Sequence, residues 1–506
     1  MKHVKKLASV LLAMVMVMAM TMTAFAATAA LTGHTYKAYQ IFAGTQSADA
    51  NDVALANVTW GDGINGESFL KALKSDTTLG TTFGSCGSAA DVAKALSAYS
   101  DYSGEANAFA KLAYEYKTNV SYSIGDTLSA GYYLVVDETE FAEGAENTVK
   151  NLALLQLTKK GEFTVENKTS VPTVEKKVDD KNDSNTTEDA VVWQDSADYD
   201  IGDSVPFKLE ATLADNVESY TTYKIVFHDT LSKGLTYEND TVKVMFGETD
   251  VTKHFTVTST ADETTGETTL TIRCDNVKKF GATNSSVITV TYTATLNGNA
   301  EIGVVGNPNE VYLEYSNNPN ESEEGDTDNT GKTPEDKVIV FTYKVVVKKV
   351  DGKQNPLTGA GFTLYKKNAE TGIYEAVGPE VKGEAMTTFE WSGLDDGDYK
   401  LSETTTPDGY NTIADIYFTV TAAHDITSDD PTLTSLSGNV TTGEVTFTST
   451  DSEGNQTGSL TTDVVNQSGT TLPETGGMGT TIFYVIGSIL VLGAAVVMIT
   501  RKRMAK

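Results

Sequence analysis

The feature that most constrains this chain is the run from Thr480 to Thr500, twenty-one positions without a charged side chain. As a helix it is just long enough to cross a hydrocarbon core of roughly 30 Å, and a lipid-embedded backbone must satisfy its hydrogen bonds internally. Arg501, Lys502, Arg503 and Lys506 come after it, a basic tail that stays cytoplasmic and leaves the upstream chain outside. At the other end, "MKHVKKLASVLLAMVMVMAMTMTAFA" has a lysine-bearing start, an apolar stretch and the small-residue pattern Ala24-Phe25-Ala26. That is the form of a secretory signal, with cleavage expected after Ala26. The part that folds is therefore expected to be extracellular.

Just before the span stands Leu472-Pro473-Glu474-Thr475-Gly476. With the apolar run and basic tail behind it, this motif resembles the cell-wall sorting signal of Gram-positive surface proteins, which the transpeptidase sortase reads. The resemblance implies that a sortase cysteine attacks the Thr475 carbonyl, expels the segment from Gly476 to the C-terminus, and holds an acyl-enzyme until an amine resolves it. The chain would be the substrate of that chemistry.

The 506 residues carry 38 Lys and Arg against 69 Asp and Glu, and the expected leader and tail hold seven of the bases and none of the acids. So acidic a segment disfavours nucleic-acid binding and favours solubility. Its length suggests about three domains. Cys86 and Cys274 are the only cysteines, and they fall in different expected domains, which argues against a stapling disulfide. The five histidines, at 3, 34, 228, 254 and 424, form no metal-ligand spacing and no nucleophile partnership, so neither a metal, a cofactor nor an ordinary enzyme activity is expected.

Residues 27–168 mix helical spacing, in "GESFLKALKSD" and "SAADVAKALSAYSDYSGEANAFAKLAYEY", with strand-like "YKAYQIFAG" and "AGYYLVVDET"; an α+β domain is expected. Residues 169–337 are rich in Thr- and Val-bearing strands, including "YKIVFHDTL", "TLTIRCDNV" and "SVITVTYTATL", and predict a β-sandwich. Two acidic stretches, "DDKNDSNTTED" and "ESEEGDTDNTGKTPEDK", lack the ligand spacing of a calcium loop and are expected to be solvated. Residues 338–467 predict a second sandwich, and 468–506 hold a short stalk and the sorting signal. The overall expectation is a mainly β protein: an α+β domain, two Ig-like sandwiches and a transmembrane helix.

In "YKVVVKKVDG" the two-residue period of a strand puts Lys349 on one face with Tyr343, Val345 and Val347, and leaves Lys348 outside. Tyr399, Leu401 and Glu403 share a face in the same way. A lysine and a carboxyl placed among apolar neighbours demand a reason. The opening lysine, "GAGFTLY", "YKLSETTTPDGY" and the terminal Asn466 of "DVVN" resemble the B-type domain of collagen adhesins and pilins. That family joins its lysine to its asparagine by a spontaneous isopeptide bond assisted by the glutamate, which implies Lys349, Asn466 and Glu403 here. Burial would keep the amine neutral and the carboxyl protonated, able to hydrogen-bond the Asn466 amide oxygen.

"VPTVEKKVDD", "IVFHDTLSKGLTY" and "NPNEVYLEYSNNPN" resemble the second domain of sortase-assembled pilins, in which an A-type isopeptide joins first and last strands. The resemblance assigns Lys176, Asp229 and Asn309, with Lys177 and Asn317 as alternatives. Nearly the whole mature chain then resembles a Gram-positive sortase-assembled major pilin, polymerised when a lysine of the next subunit attacks the Thr475 acyl-enzyme. "EFTVENKTSVP" offers Lys168; Glu166-Asn167 stands where the family has tyrosine-proline, so Lys159 and Lys160 stay open. The expected partners are sortase, further copies of the subunit, and peptidoglycan. A monomeric wall-anchored adhesin is the alternative.

Overall fold

The computed structural model describes residues 33–46, 55–99, 103–123, 126, 128–142, 144–158, 169–180, 191–321, 330–469 and 478–504. In the first domain the strands Tyr36–Gln46, Leu55–Trp60, Tyr122–Ser123, Gly131–Asp137 and Leu154–Thr158 form a five-stranded sheet. The helices Gly66–Ser75, Gly80–Phe83, Ala89–Leu96 and Gly104–Glu115 accompany it. The long helical stretch of the sequence is two helices because side chains start each one: Ser88 accepts from Asp91 N and Ser103 from Ala106 N. Phe69, Leu73, Phe83, Val92 and Phe109 pack these helices into one core with Ile41, Leu134 and Val136 of the sheet.

The middle domain is a sandwich of two seven-stranded sheets. In one, Thr173–Asp179 pairs with Ser204–Thr212, which pairs with Val287–Leu296. In the other, Ile225–Leu231 lies between Thr268–Cys274 and Asn307–Ser316. Strict alternation positions the side chains: along Val287–Leu296 every second residue, including Tyr292, points into the core and its neighbours face out.

The expected boundary before Val338 falls inside a strand. Asp336–Phe341 pairs antiparallel with Asn307–Ser316 and parallel with Ser196–Asp198, so it completes the middle domain. The third domain starts at Tyr343, with only Thr342 between the strands. "VIVFTYKVVV" carries no turn residues at that point, because the chain passes from one sandwich to the next without reversing direction.

The third domain packs a four-stranded sheet on a six-stranded one. Its first strand, Tyr343–Asp351, pairs in parallel with its last, Gln456–Asn466. The opposing sheet contains Gly361–Lys367, Gly397–Thr405 and Ile416–His424. Phe362, Leu364, Phe389, Tyr399, Leu401 and Phe418 fill the space between. Beyond it the helix Met478–Met504 contains a membrane-length apolar segment, Phe483–Lys502, with a mean hydropathy of 2.4.

The domains meet through specific contacts. Lys150 N donates to Asn317 O at 2.7 Å, and Asn320 Nδ2 donates to Asn151 O at 3.0 Å, so the "SNNPN" segment holds the first domain. Between the second and third domains, Gly303 (φ 94°) and Gly458 (φ 66°) meet so closely that a side chain on Gly458 would strike the Gly303 backbone.

Candidate cross-linking sites in two domain cores

In the middle domain, Lys176 and Tyr292 project from one sheet and Asp229 and Asn309 from the other, all into the core. Lys176, Asp229 and Asn309 are each fully buried. Lys176 Nζ donates to both Asp229 oxygens at 2.8 Å and to Tyr292 Oη at 3.1 Å. Tyr292 Oη donates to Asp229 Oδ2 at 2.8 Å and accepts from Asn309 Nδ2 at 2.7 Å. One hydroxyl therefore touches the amine, the acid and the amide. Phe207, stacked on Tyr292 with ring centroids 5.3 Å apart, walls the site.

Burial acts on both charges. Desolvation lowers the Lys176 pKa, opposed by Asp229, and raises that of Asp229, opposed by Lys176 and the Tyr292 hydrogen bond. Both shifts favour the neutral pair, a free amine beside a protonated carboxyl. Asn309 Oδ1 is buried and accepts no hydrogen bond, so the carbonyl to be attacked is open to a donor.

Neither alternative shares this site. Lys177 is partly exposed and pairs with Asp195, while Asn317 lies at the contact with the first domain. The expectation that the cross-link joins first and last strands needs correction. Asn307–Ser316 is succeeded by Thr330–Lys332 and Asp336–Phe341, and lies in the sheet opposite Thr173–Asp179. Tyr292 escaped the sequence reading because nothing in "VTYTA" distinguishes it from an ordinary core tyrosine.

In the third domain Lys349 and Asn466 are fully buried and Glu403 is 7% exposed, whereas Lys348 faces solvent. Lys349 Nζ donates to Val464 O at 2.8 Å, two residues before Asn466 on the neighbouring strand. Asn466 Nδ2 donates to Glu403 Oε1 at 2.8 Å and Oε2 at 3.1 Å. Glu403 Oε2 also accepts from Ile413 N at 3.0 Å. Desolvation lowers the Lys349 amine to about 8, against the attraction of Glu403. The amide is turned opposite to the expectation: Glu403 meets Nδ2, and Oδ1 is buried without a partner. The carboxyl oxygens accept from the N–H side of the amide, and Oδ1 stays open to a donor.

Among the described residues of the first domain no lysine is buried. Lys159, Lys160, Lys168, the signal segment and Leu472 to Gly476 lie outside the described residues.

The comparisons with known proteins match the same division. The Gram-positive pilin backbone subunit 2, Cna-B-like domain, matches residues 201–319, which include Asp229, Tyr292 and Asn309. A prealbumin-like fold domain matches 343–432, with Lys349 and Glu403, and the LPXTG cell wall anchor motif matches 464–506. The trypsin-resistant surface T6 protein of Streptococcus pyogenes serotype M6 is 27% identical over 404 residues, covering 67% of this chain and 70% of that protein. The solved three-domain structure of the T6 backbone pilin from the same serotype superposes with a TM-score of 0.50 at 17% identity, covering 87% of this chain and 96% of that one.

Proposed function

We propose that this chain, which is a backbone subunit of a Gram-positive sortase-assembled pilus, locks its middle and third domains with internal Lys-Asn isopeptide bonds and joins its neighbours head to tail through Thr475. It is a structural protein and a sortase substrate, held at the cell wall by its LPXTG anchor, and it performs no turnover of its own. The observation that carries the cross-linking reading is that each sandwich buries one lysine, one acid and one asparagine in a single core site.

The chemistry balances with no outside reactant. The neutral Nζ of Lys176 or Lys349 attacks Cγ of Asn309 or Asn466, while Asp229 or Glu403 as the acid donates toward the amide oxygen. The amine loses a proton, the Cγ–Nδ2 bond breaks, and the protonated leaving group departs as ammonia. Burial in a folded core replaces a bimolecular encounter by enforced proximity. Tyr292 positions the middle-domain site, its hydroxyl bridging amine, acid and amide.

Polymerisation uses the same bond type between chains. The acyl group left on Thr475 is resolved by a lysine of the next subunit, for which Lys168 is the candidate, with Lys159 and Lys160 as alternatives. Such a heterologous contact propagates as an open filament. Peptidoglycan resolves the last acyl-enzyme and anchors the fibre.

Intact mass spectrometry of residues 27–475 tests the internal bonds: two condensations lower the mass by about 34 Da, one ammonia each. An unshifted mass removes both. A cell-wall extract tests the polymer, which runs as an SDS-resistant high-mass ladder; a single band in cells carrying the matching sortase removes it.

A further inference from the structure

The acidic stretch "ESEEGDTDNTGKTPEDK" ends in a carboxylate that is drawn into the middle domain. Asp336 opens the strand Asp336–Phe341 and is half-buried. Its Oδ2 accepts from the backbone N–H of Lys176 at 2.6 Å, and its Oδ1 accepts from Lys337 N at 3.0 Å. Hydrogen bonds to an ionised acceptor are among the stronger ones a backbone donor makes.

Lys176 needs such a partner because of where its strand lies. Thr173–Asp179 pairs along one side with Ser204–Thr212. On the other side, among the described residues, its pairing with Trp193–Gln194 reaches only Val178 and Asp179. The Lys176 N–H therefore has no strand beside it, and a buried backbone donor left unpaired carries a desolvation cost. Asp336 supplies the acceptor from the opposite sheet.

The register makes this contact more than a cap. Asp336–Phe341 runs antiparallel to Asn307–Ser316, with Val338 opposite Asn309 and Asp336 opposite Val311. The acceptor thus sits on the strand next to the one that carries the Asn309 amide, two residues from the rung that Asn309 occupies. One carboxylate ties the backbone of the buried amine to the ladder of the buried amide, across the gap between the sheets. Asp229 and Tyr292 hold the far end of the lysine at Nζ. Asp336 holds the near end.

We propose that Asp336 is a positioning residue for the middle-domain cross-link, fixing the Lys176 backbone so that Nζ is delivered to Asn309. The inference rests on the cross-linking reading of that site and adds a residue that meets the backbone of the lysine, not its amine. Asp336 acts as an acceptor and not as a charge. Burial lowers the Lys176 pKa, and the Asp336 charge works against that shift, toward the protonated form that cannot attack. The two properties are separable, because asparagine keeps an oxygen and loses the charge.

The test is cell-free translation of the full chain in detergent, stopped at intervals, digested with trypsin and read by peptide mass spectrometry. The third-domain bond in the same chain is the internal clock. Asp336→Ala should slow the appearance of the Lys176–Asn309 peptide by about 10- to 100-fold, the scale lost when a reacting group is misplaced, and leave the third-domain peptide at the parental rate. Asp336→Asn, the conservative variant, should rescue most of the lost rate. Thermal melting of Asp336→Ala combined with Asn309→Ala, where no middle-domain bond forms, reads the fold separately from the bond. Parental cross-linking in Asp336→Ala overturns the proposal, as does an equal slowing in Asp336→Asn, which would make the charge the active feature. Loss of the thermal transition overturns it too, reducing Asp336 to a residue of fold stability. A parent that never forms the middle-domain bond removes the cross-linking reading of that domain and this proposal with it, and the unmutated chain alone shows that outcome.

Discussion

Lys349 and Asn466 stand on adjacent parallel strands, two rungs apart: Lys349 pairs with Val464, and Asn466 pairs with Asp351. The proposed covalent tie at this point would join the first strand of the third domain to its last. Lys349→Ala should therefore leave a chain whose mass deficit is about 17 Da instead of about 34 Da, because the middle-domain condensation proceeds alone. Intact mass spectrometry reads this directly, and a deficit unchanged by the substitution would show that Lys349 is not the nucleophile.

In the proposed reaction Glu403 takes part as the acid and is not consumed. Glu403→Ala is expected to fold yet fail to form the third-domain bond, so that its mass deficit against its own sequence is smaller than the parent's by one ammonia. Losing a closed loop of more than a hundred residues should lower stability by about 4–5 kcal/mol, on the chain-entropy model used for disulfides. Thermal melting and trypsin resistance, measured beside the mass, check both halves of the expectation.

Tyr292 offers a test in the middle domain that spares the packing. Tyr292→Phe keeps the ring on Phe207 and removes only the hydroxyl that touches Lys176, Asp229 and Asn309. Bond formation after refolding should slow by about 10²-fold, the order lost with one preorganised donor. A variant that cross-links at the parental rate would reduce Tyr292 to a core residue.

The depressed Lys349 amine gives a pH dependence with a defined sign. Its neutral fraction, the nucleophilic form, grows as pH rises through about 8. In Asn466→Ala the lysine stays free. Its folded pKa lies below its unfolded value, so the folded state binds fewer protons in that interval. Stability therefore rises with pH from about 8 toward the ordinary lysine value. Below that window the penalty of burying a charged amine is present in full. A parent cross-linked as proposed, with Nζ in an amide, should lack this rise.

For the intermolecular bond, Lys168→Ala should collapse the high-mass ladder to monomer while the internal mass deficit and wall anchoring persist. A surviving ladder moves the linkage to Lys159 or Lys160, which the corresponding alanine variants separate on the same blot.

The sequence by itself determined what depends on local periodicity and local chemistry. The two-residue period of a strand placed Lys349 with the core and Lys348 with solvent, and put Glu403 beside Leu401 and Tyr399, because neighbouring side chains in a strand must point to opposite faces. The apolar run without charge fixed the helix at the end of the chain, since a backbone in hydrocarbon has few other solutions. The tertiary structure decided what depends on which faces oppose. It brought Tyr292 between Lys176 and Asn309, sent Asn317 to a domain junction, and assigned Asp336–Phe341 to the middle sheet across a single connecting residue. It also set Asp336 against the Lys176 backbone. Sheet pairing and sandwich packing join residues more than a hundred positions apart, and no period along the chain encodes that distance.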